Sequence, residues 1–312
     1  ASYRDFVRAQ ADSLASERGE RHWAYWQQAL AGLALLALAT DRPRPPVQTH
    51  NGAIHFFDFD AILIRQLKGL ALAAETTLFT LLLTAFQVLL HRHTGQRDIV
   101  VGSPFAARDN PKFAGVIGDF VNMLPLRLRF AGDPTFTALL EQVKTRVKEA
   151  IEHKDYPFQL LVQGLDQKRV PGCTPLFQAV FVLQRPQIGE LPWSTLDPAV
   201  DELTWGGMRA TPFVIPTAEG RFDLQLEIVE LPNTLVCWWN YNRDLFDAAT
   251  IARFCEQLTL LLRDIVADPQ QSIAALPRLT QALSSCGSSM SICSRSCCRR
   301  IKAQTCRSAS VK

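Results

Sequence analysis

The sequence predicts an α/β class, a mixed-sheet α+β sandwich in which helices pack against a sheet of mixed strand direction. Two observations predict it. Long segments repeat apolar residues at helical spacing, while short apolar runs bounded by Gly and Pro are typical of buried strands. The two kinds of segment are interleaved along the chain and form no internal repeat, which favours one layered fold over separate all-α and all-β parts.

The N-terminal segment is predicted to be one long helix, a connector and a strand. Residues 3–31 place aromatic and apolar side chains at helical spacing, and Gly19 is a point of weakness in that helix. The Pro-rich stretch TDRPRPPVQTHNG, residues 40–52, cannot be helical. The following AIHFFDFD alternates between apolar and polar side chains as a strand does.

Two helices are predicted next, and the second is expected to be buried. Residues 61–74 form the first, and Thr77 caps the second, which extends to about His93. Apolar side chains surround this second helix on all sides, as in a helix inside a protein core. The run DIVVGSP, residues 98–104, ends in a glycine and a proline and indicates a buried strand.

An edge strand and a long helix follow. Residues 120–130, FVNMLPLRLRF, are predicted to form a strand, and Pro125 favours an edge or a bulge because it lacks a backbone N–H. Asp133 and Pro134 are predicted to begin the next helix as its cap and first-turn proline. That helix should end near His153.

Three more strands and a final helix complete the predicted elements. The strands cover residues 175–184, 222–231 and 234–242, and a Pro-Asn turn joins the last two. Asp247 caps the helix. Its apolar residues share one face: Ile251, Phe254, Leu258, Leu261, Leu262 and Ile265.

Charge and cysteine content separate the body of the chain from its tail. The net charge of +3 includes six Lys and Arg after residue 283, and without them the charge is −3, so no nucleic-acid surface is indicated. Five of the eight cysteines lie in the same tail, and the other three fit a reducing cytosol. No apolar stretch is long enough for a membrane span. We therefore expect a cytoplasmic protein with no nucleic-acid or membrane partner.

The candidate chemistry in the sequence is sparse. His153, Lys154 and Asp155 place an imidazole beside a carboxylate, but adjacent helical residues do not face each other, and cations suit a helix C-terminus, so a structural role is favoured. Asn122 lies in an apolar strand, where it is either a satisfied structural amide or a substrate contact. Ser103 has no recognisable base beside it, and no metal-ligand pattern is present.

Several stretches carry motifs in a fixed order over about residues 2–280. They are YRDFVRAQ with Ala9 where Trp is usual, AYWQQALAG, IGDFVNMLPLR, HKDYPFQLLV, KRVPGCTPLFQ with Val170 in place of Asp, FDLQLEIVE and NRDLFDAATIARF. Taken together, they resemble the condensation domain of nonribosomal peptide synthetases. The Phe-Val-Asn motif leans toward condensation rather than the epimerisation and cyclisation relatives.

The resemblance implies a fold like chloramphenicol acetyltransferase, with two lobes and a tunnel between them. Carrier domains deliver two thioesters on phosphopantetheine arms, and an amide bond forms between them. The family's His-His-x-x-x-Asp-Gly motif belongs to the first lobe, and no adjacent histidine pair exists in this sequence. We therefore expect the chain to be a fragment, the C-terminal lobe, with no catalytic residue of its own and no activity alone.

The resemblance also assigns expected roles to particular residues. Asn122 and Ser103 would flank the substrate tunnel, and Arg169 would be a strut between the lobes, paired with the Asp of the absent motif. His153 and Asp155 would be a structural landmark. No cofactor would bind directly, and the partners would be the peptidyl carrier domains, the missing N-terminal lobe and the adenylation domain of the synthetase.

Three regions are expected along the chain. Residues 1–51 would be a linker helix and connector after the N-terminal lobe, 52–280 the C-terminal lobe, and 281–312 a disordered or out-of-frame tail rich in Ser, Cys and Arg. A second function, from a different class, stays open at this point. The chain could be a non-catalytic module that docks carrier proteins or a partner lobe.

Overall fold

A computed structural model describes residues 1–165, 170–185, 203–205, 208–210, 219–231 and 234–276. The helices are α1 (Tyr3–Leu14), α2 (Glu17–Ala29), α3 (Ala61–Ala73), α4 (Leu78–Thr94), α5 (Phe136–Glu152), α6 (Phe158–Gly164) and α7 (Ala248–Ala267). The strands are β1 (Gly52–Asp58), β2 (Asp98–Ala106), β3 (Val121–Arg129), β4 (Ala179–Gln184), β5 (Leu203–Trp205), β6 (Met208–Ala210), β7 (Leu224–Glu230) and β8 (Leu235–Asn242). The predictions for Arg169, the Pro-Asn turn and the tail at 281–312 lie outside the described residues.

The main sheet has six strands in the order β1-β8-β7-β4-β2-β3. Strand β4 runs parallel to both β2 and β7, and the remaining neighbours are antiparallel. Strands β5 and β6 form a separate two-stranded sheet. The predicted class, helices on a sheet of mixed strand direction, is confirmed.

Helix α4 lies at the centre of the helical layer. It packs against strands β2 and β4 and contacts α3, α5 and α7. Every residue from Thr80 to Leu90 is buried, and the Thr77 side chain caps the helix by accepting from the Thr80 N–H. The predicted cap and the predicted burial are confirmed. Apolar side chains lie on all sides of α4 because neighbouring elements surround it.

Strand β3 is an edge strand, and its register explains why Pro125 is tolerated. Just beyond the paired residues, the Phe130 N–H donates to the Arg97 carbonyl and the Ala107 N–H donates to the Phe120 carbonyl. In an antiparallel ladder, hydrogen-bonded residue pairs alternate with pairs that are not hydrogen-bonded. The N–H and C=O groups of the even-numbered residues of β3 therefore bond to β2, and those of the odd-numbered residues point away from it. Pro125 therefore replaces no ladder hydrogen bond, and the predicted edge position is confirmed.

The single helix predicted over residues 3–31 is wrong, because the segment forms two helices. The break falls before Ser16, whose side chain caps α2 by accepting from the Arg18 N–H. Gly19 then lies against the end of α1, where an added Cβ would be 2.2 Å from the Leu14 carbonyl oxygen. The glycine marks a close approach of two helices rather than a soft point in one.

The predicted start of α5 is also wrong by two residues. The N-cap is Thr135, which accepts from the Ala138 N–H, and the helix begins at Phe136. Asp133 instead accepts hydrogen bonds from Ser272 and from the Ala274 N–H. The C-terminal end of α5 is as predicted, since His153 is the C-cap residue of that helix.

The first 51 residues pack into the same core as the rest of the chain. Trp26 and Leu30 are buried in that core. The Pro-rich connector is held by an ion pair between Arg44 and Asp223, whose carboxylate is only 1% exposed. Among the described residues, no single helix is long and apolar enough to cross a bilayer, and α3 and α4 meet those criteria only as a pair bent by 106°.

Candidate functional site

The HKDYPF segment after α5 meets α2 through a pair of histidines. His153, the C-cap of α5, places its Nδ1 atom 2.8 Å from the Nδ1 atom of His22 on α2. The two rings are perpendicular, with their centres 5.0 Å apart. Residues 131 positions apart in sequence thus form a direct contact between two imidazole rings.

The hydrogen bonds around this pair favour one arrangement of its protons. The Nε of Arg18 donates to the Nε2 of His22 at 3.3 Å, so that Nε2 carries no proton. Neutral His22 then carries its proton on Nδ1 and donates it to Nδ1 of His153. With His153 neutral as well, its own proton in this arrangement is on Nε2.

Burial favours the same neutral state. It lowers the pKa of His22, and the nearby positive charge on His153 or Arg18 lowers it further. Burial also lowers the pKa of His153. Both rings are therefore held neutral, as the direct contact between their Nδ1 atoms requires.

The remaining contacts around His153 are structural. Its ring stacks on Tyr25 with a centroid distance of 4.0 Å, and its carbonyl accepts from the indole N–H of Trp26 at 3.0 Å. Burial, followed by the charge of Glu149, raises the pKa of Tyr25 to about 12. Asp155 forms an ion pair with Arg18. The landmark predicted at His153 and Asp155 is thus a fastening point between α5 and α2.

Sequence reasoning missed the α2 half of this contact. Arg18, His22 and Trp26 follow one another at intervals of four residues and so share one face of α2. That spacing was the available signal. It could not identify the partner, because the partner lies more than a hundred residues away.

Asn122 has its amide occupied by backbone groups. Its Nδ2 donates to the carbonyls of Lys154 and Tyr156, each at 2.7 Å, and its Oδ1 accepts from the Phe158 N–H at 2.9 Å. The side chain therefore ties β3 to the turn between α5 and α6. These contacts give Asn122 a structural role, and its place in a substrate tunnel stays a prediction.

Ser103 lies within the core. It is 1% exposed, and its hydroxyl donates to the Phe181 carbonyl at 2.7 Å. That bond ties strand β2 to β4. As with Asn122, the contact is structural and the tunnel role stays a prediction.

His91 and His93 at the end of α4 point to different partners. His91 contacts the Gln96 carbonyl through Nδ1 at 2.7 Å and stacks on Phe130. His93 contacts Oε1 of Gln257 through Nε2 at 2.6 Å. Within the described ranges, no group of three or more His, Cys, Asp or Glu side chains could hold a metal ion.

A cleft of about 540 Å³ lies between α2, α5 and strand β3. Tyr25 and His153 belong to its wall, and its floor is residues 125–129. Neither Asn122 nor Ser103 lines it. The two residues predicted to flank a groove are therefore not part of this cleft.

Comparison with known proteins places this architecture in a family. The model of the condensation domain matches residues 1–283. One of the linear gramicidin synthase proteins of Brevibacillus parabrevis is 41% identical over 282 residues, which cover 89% of this chain and 4% of that protein. The chain thus spans a small part of the length of this curated relative.

Solved structures agree. A four-domain nonribosomal peptide synthetase, holo-AB3403 bound to AMP and glycine, has a TM-score of 0.77 and 26% identity, covering 84% of this chain and 20% of that one. The X-domain from teicoplanin biosynthesis, in complex with OxyB, has a TM-score of 0.76, and the match covers 89% of this chain and 61% of the X-domain chain. The two sequences are 22% identical, so this likeness shows the fold alone. The mixed sheet and its helical layer are those of the chloramphenicol-acetyltransferase-like condensation domains, and the chain belongs to the condensation domain family of nonribosomal peptide synthetases.

Proposed function

We propose that the chain is the C-terminal lobe of a condensation domain that joins a carrier-bound donor to a carrier-bound aminoacyl acceptor by forming an amide bond. One observation carries the proposal. The family model matches residues 1–283, yet the sequence contains no two adjacent histidines, so the family's histidine motif is absent from it. The lobe would shape the site while another polypeptide segment supplies the imidazole.

The histidine environments support this division of labour. Amide formation needs a group that accepts or positions the proton of the attacking amine. Nδ1 of His153 is in contact with His22, and Nε2 of His93 is engaged with Gln257. This chain matches 61% of the X-domain chain, and the unmatched part of that chain is long enough for another lobe.

The proposed roles of the lobe follow from the family. Phosphopantetheine arms of the carrier domains would bring both thioesters to the groove between the lobes, with Asn122 and Ser103 fixing the strands around it. Arg169 would pair with the Asp of the histidine motif and so join the lobes. The free cysteines Cys173, Cys237 and Cys255 support a cytoplasmic location.

A reconstitution assay tests the proposal. The chain is incubated with a donor and an acceptor carrier domain, each loaded with a radiolabelled aminoacyl group, alone or with the first lobe of the matching condensation domain from the linear gramicidin synthase. We expect amide product only when the first lobe is added, and none when the second histidine of its motif is replaced by alanine. Product from the chain alone would show that it holds its own catalytic group, and the proposal would be wrong.

The same assay separates the non-catalytic alternative. A docking module would bind loaded carrier domains, measured by surface plasmon resonance, and would form no amide even with an added lobe. The absent histidine pair is the observation that keeps this alternative open.

A further inference from the structure

The outer edge of strand β3 forms the floor of the cleft between α2 and α5. Residues 125–129 line it, with Tyr25 and Gln28 on the α2 wall and Gln142 and Arg146 on the α5 wall. These residues have no role in the amide-forming reaction proposed above. The cleft therefore needs a separate account.

The strand presents unpaired backbone groups to this cleft. Odd-numbered residues of β3 point their N–H and C=O groups away from β2, as the register shows. In the part of the chain that the structure describes, the outward N–H and C=O groups of Arg127 and Arg129 form no backbone hydrogen bond. An edge of this kind is a template for a further strand.

The charge of the cleft selects the kind of strand. Asp98 faces two guanidinium groups, since it bonds bidentately to Arg127 and lies 3.7 Å from Nε of Arg129. Arg127 is buried and also donates to the carbonyls at the end of α2, whereas the Arg129 side chain is 64% exposed. Arg129 also donates to the Ala31 carbonyl at 3.4 Å, and Glu149 of the cleft is paired with Arg146. Three arginines thus face two carboxylates, and the excess positive charge lies at the exposed Arg129.

The geometry points to a peptide-docking site, and we propose that an extended segment of about five residues with an acidic side chain adds to β3 as a seventh strand. Its backbone would bond to the outward N–H and C=O groups of Arg127 and Arg129. Side chains of a strand alternate between faces, so an acidic residue paired with Arg129 would share the face of that guanidinium, and its neighbours would face α5. The proposal is independent of the amide-forming function.

Fluorescence anisotropy with a labelled, end-capped pentapeptide, Thr-Val-Glu-Val-Thr, tests the site on the full chain. We expect saturable binding, weakened about threefold by Arg129→Ala through the lost charge. Arg129→Pro should weaken it about fivefold further, because it removes an outward N–H without touching the ladder to β2. The matched control, Arg253→Ala on α7, should bind like the unaltered chain.

Modified peptides separate strand addition from simple anion binding. N-methylation of the Glu residue removes a backbone donor that faces β3, whereas N-methylation of the following Val removes one that faces away, so only the first should abolish binding. Hydrogen exchange of the Arg127 and Arg129 amides should slow when the unmodified peptide is added, a measurement that needs no variant to fold.

Three results would overturn the proposal. They are equal binding of both N-methylated peptides, equal binding of a peptide with Lys in place of Glu, and unchanged exchange at Arg127 and Arg129. Displacement of the peptide by inorganic phosphate with no exchange protection would identify a plain anion site instead.

Discussion

Helix α4 and the contact between α2 and α5 stabilise the same sheet by different means. Helix α4 is buried from Thr80 to Leu90 and relies on apolar packing, with its hydroxyls bonded within the helix, as Thr84 is to the Thr80 carbonyl. The α2–α5 contact is made of imidazoles, an indole N–H and an ion pair. The first depends on shape and volume, whereas the second depends on protonation and direction. The two regions should therefore respond to different perturbations.

The largest effect is expected in the α4 core. Phe86 is fully buried, with its ring 5.6 Å from that of Trp239 and 6.1 Å from that of Phe181. Phe86→Ala should lower the free energy of unfolding by about 3–5 kcal/mol, because it leaves a cavity among packed rings. Urea denaturation followed by tryptophan fluorescence measures the change.

Leu72→Ala on α3 is the matched control, since Leu72 is 80% exposed and should change stability by less than about 0.5 kcal/mol. A loss below about 1 kcal/mol for Phe86→Ala would mean that the core around α4 collapses onto the gap, and packing would not be its main source of stability.

The second effect tests the polar link between β3 and the turn after α5. Asn122→Ala removes three hydrogen bonds, so we expect a loss of about 2–3 kcal/mol in the free energy of unfolding. Asn122→Asp keeps the acceptor for the Phe158 N–H but places a carboxylate oxygen against the Lys154 and Tyr156 carbonyls, so it should lose at least as much. If Asn122→Ala leaves stability unchanged while it abolishes turnover in the reconstituted assay, the residue serves the substrate and not the fold.

These two regions also differ in what the sequence could predict. The α4 core followed from local periodicity, and so did the cap at Thr77, because both signals lie within one element. The edge position of Pro125 was predictable from its missing N–H. The partners of His153 and Asn122 were not, since each hydrogen bond is set by the fold of distant segments. The α1–α2 break was missed although the sequence carries a signal for it, since residues 15–22 hold no large apolar side chain and Ser16 is a typical capping residue.

Acid should weaken the α2–α5 contact. The folded state holds His22 and His153, and also His55 and His93, with pKa values lowered by burial, whereas an unfolded histidine titrates near its ordinary pKa of about 6.5. The unfolded state therefore binds more protons just below pH 6.5, so stability falls as the pH drops through that window and is fully present above it. Urea denaturation at a series of pH values checks the slope.

The variant His22→Gln should reduce that slope in part, because it removes one of the four histidines whose pKa is lowered and keeps a polar side chain. Gln48→Ala, on the connector, is the control, because it removes no titratable group and should retain the slope of the unaltered chain. Identical slopes for His22→Gln and the unaltered chain would contradict a role for the pair in acid sensitivity.

The smallest effect is expected at the ion pair that closes the contact. Arg18 and Asp155 have side chains 56% and 39% exposed, so Asp155→Asn should cost less than about 1 kcal/mol, a cost that salt reduces. Its informative readout is the NMR titration of His22. The Asp155 charge raises the pKa of His22 against the larger effect of burial, so its removal should lower that pKa further. An unchanged or raised pKa would mean that the carboxylate does not reach the histidine pair, and Asp155 would then only hold Arg18.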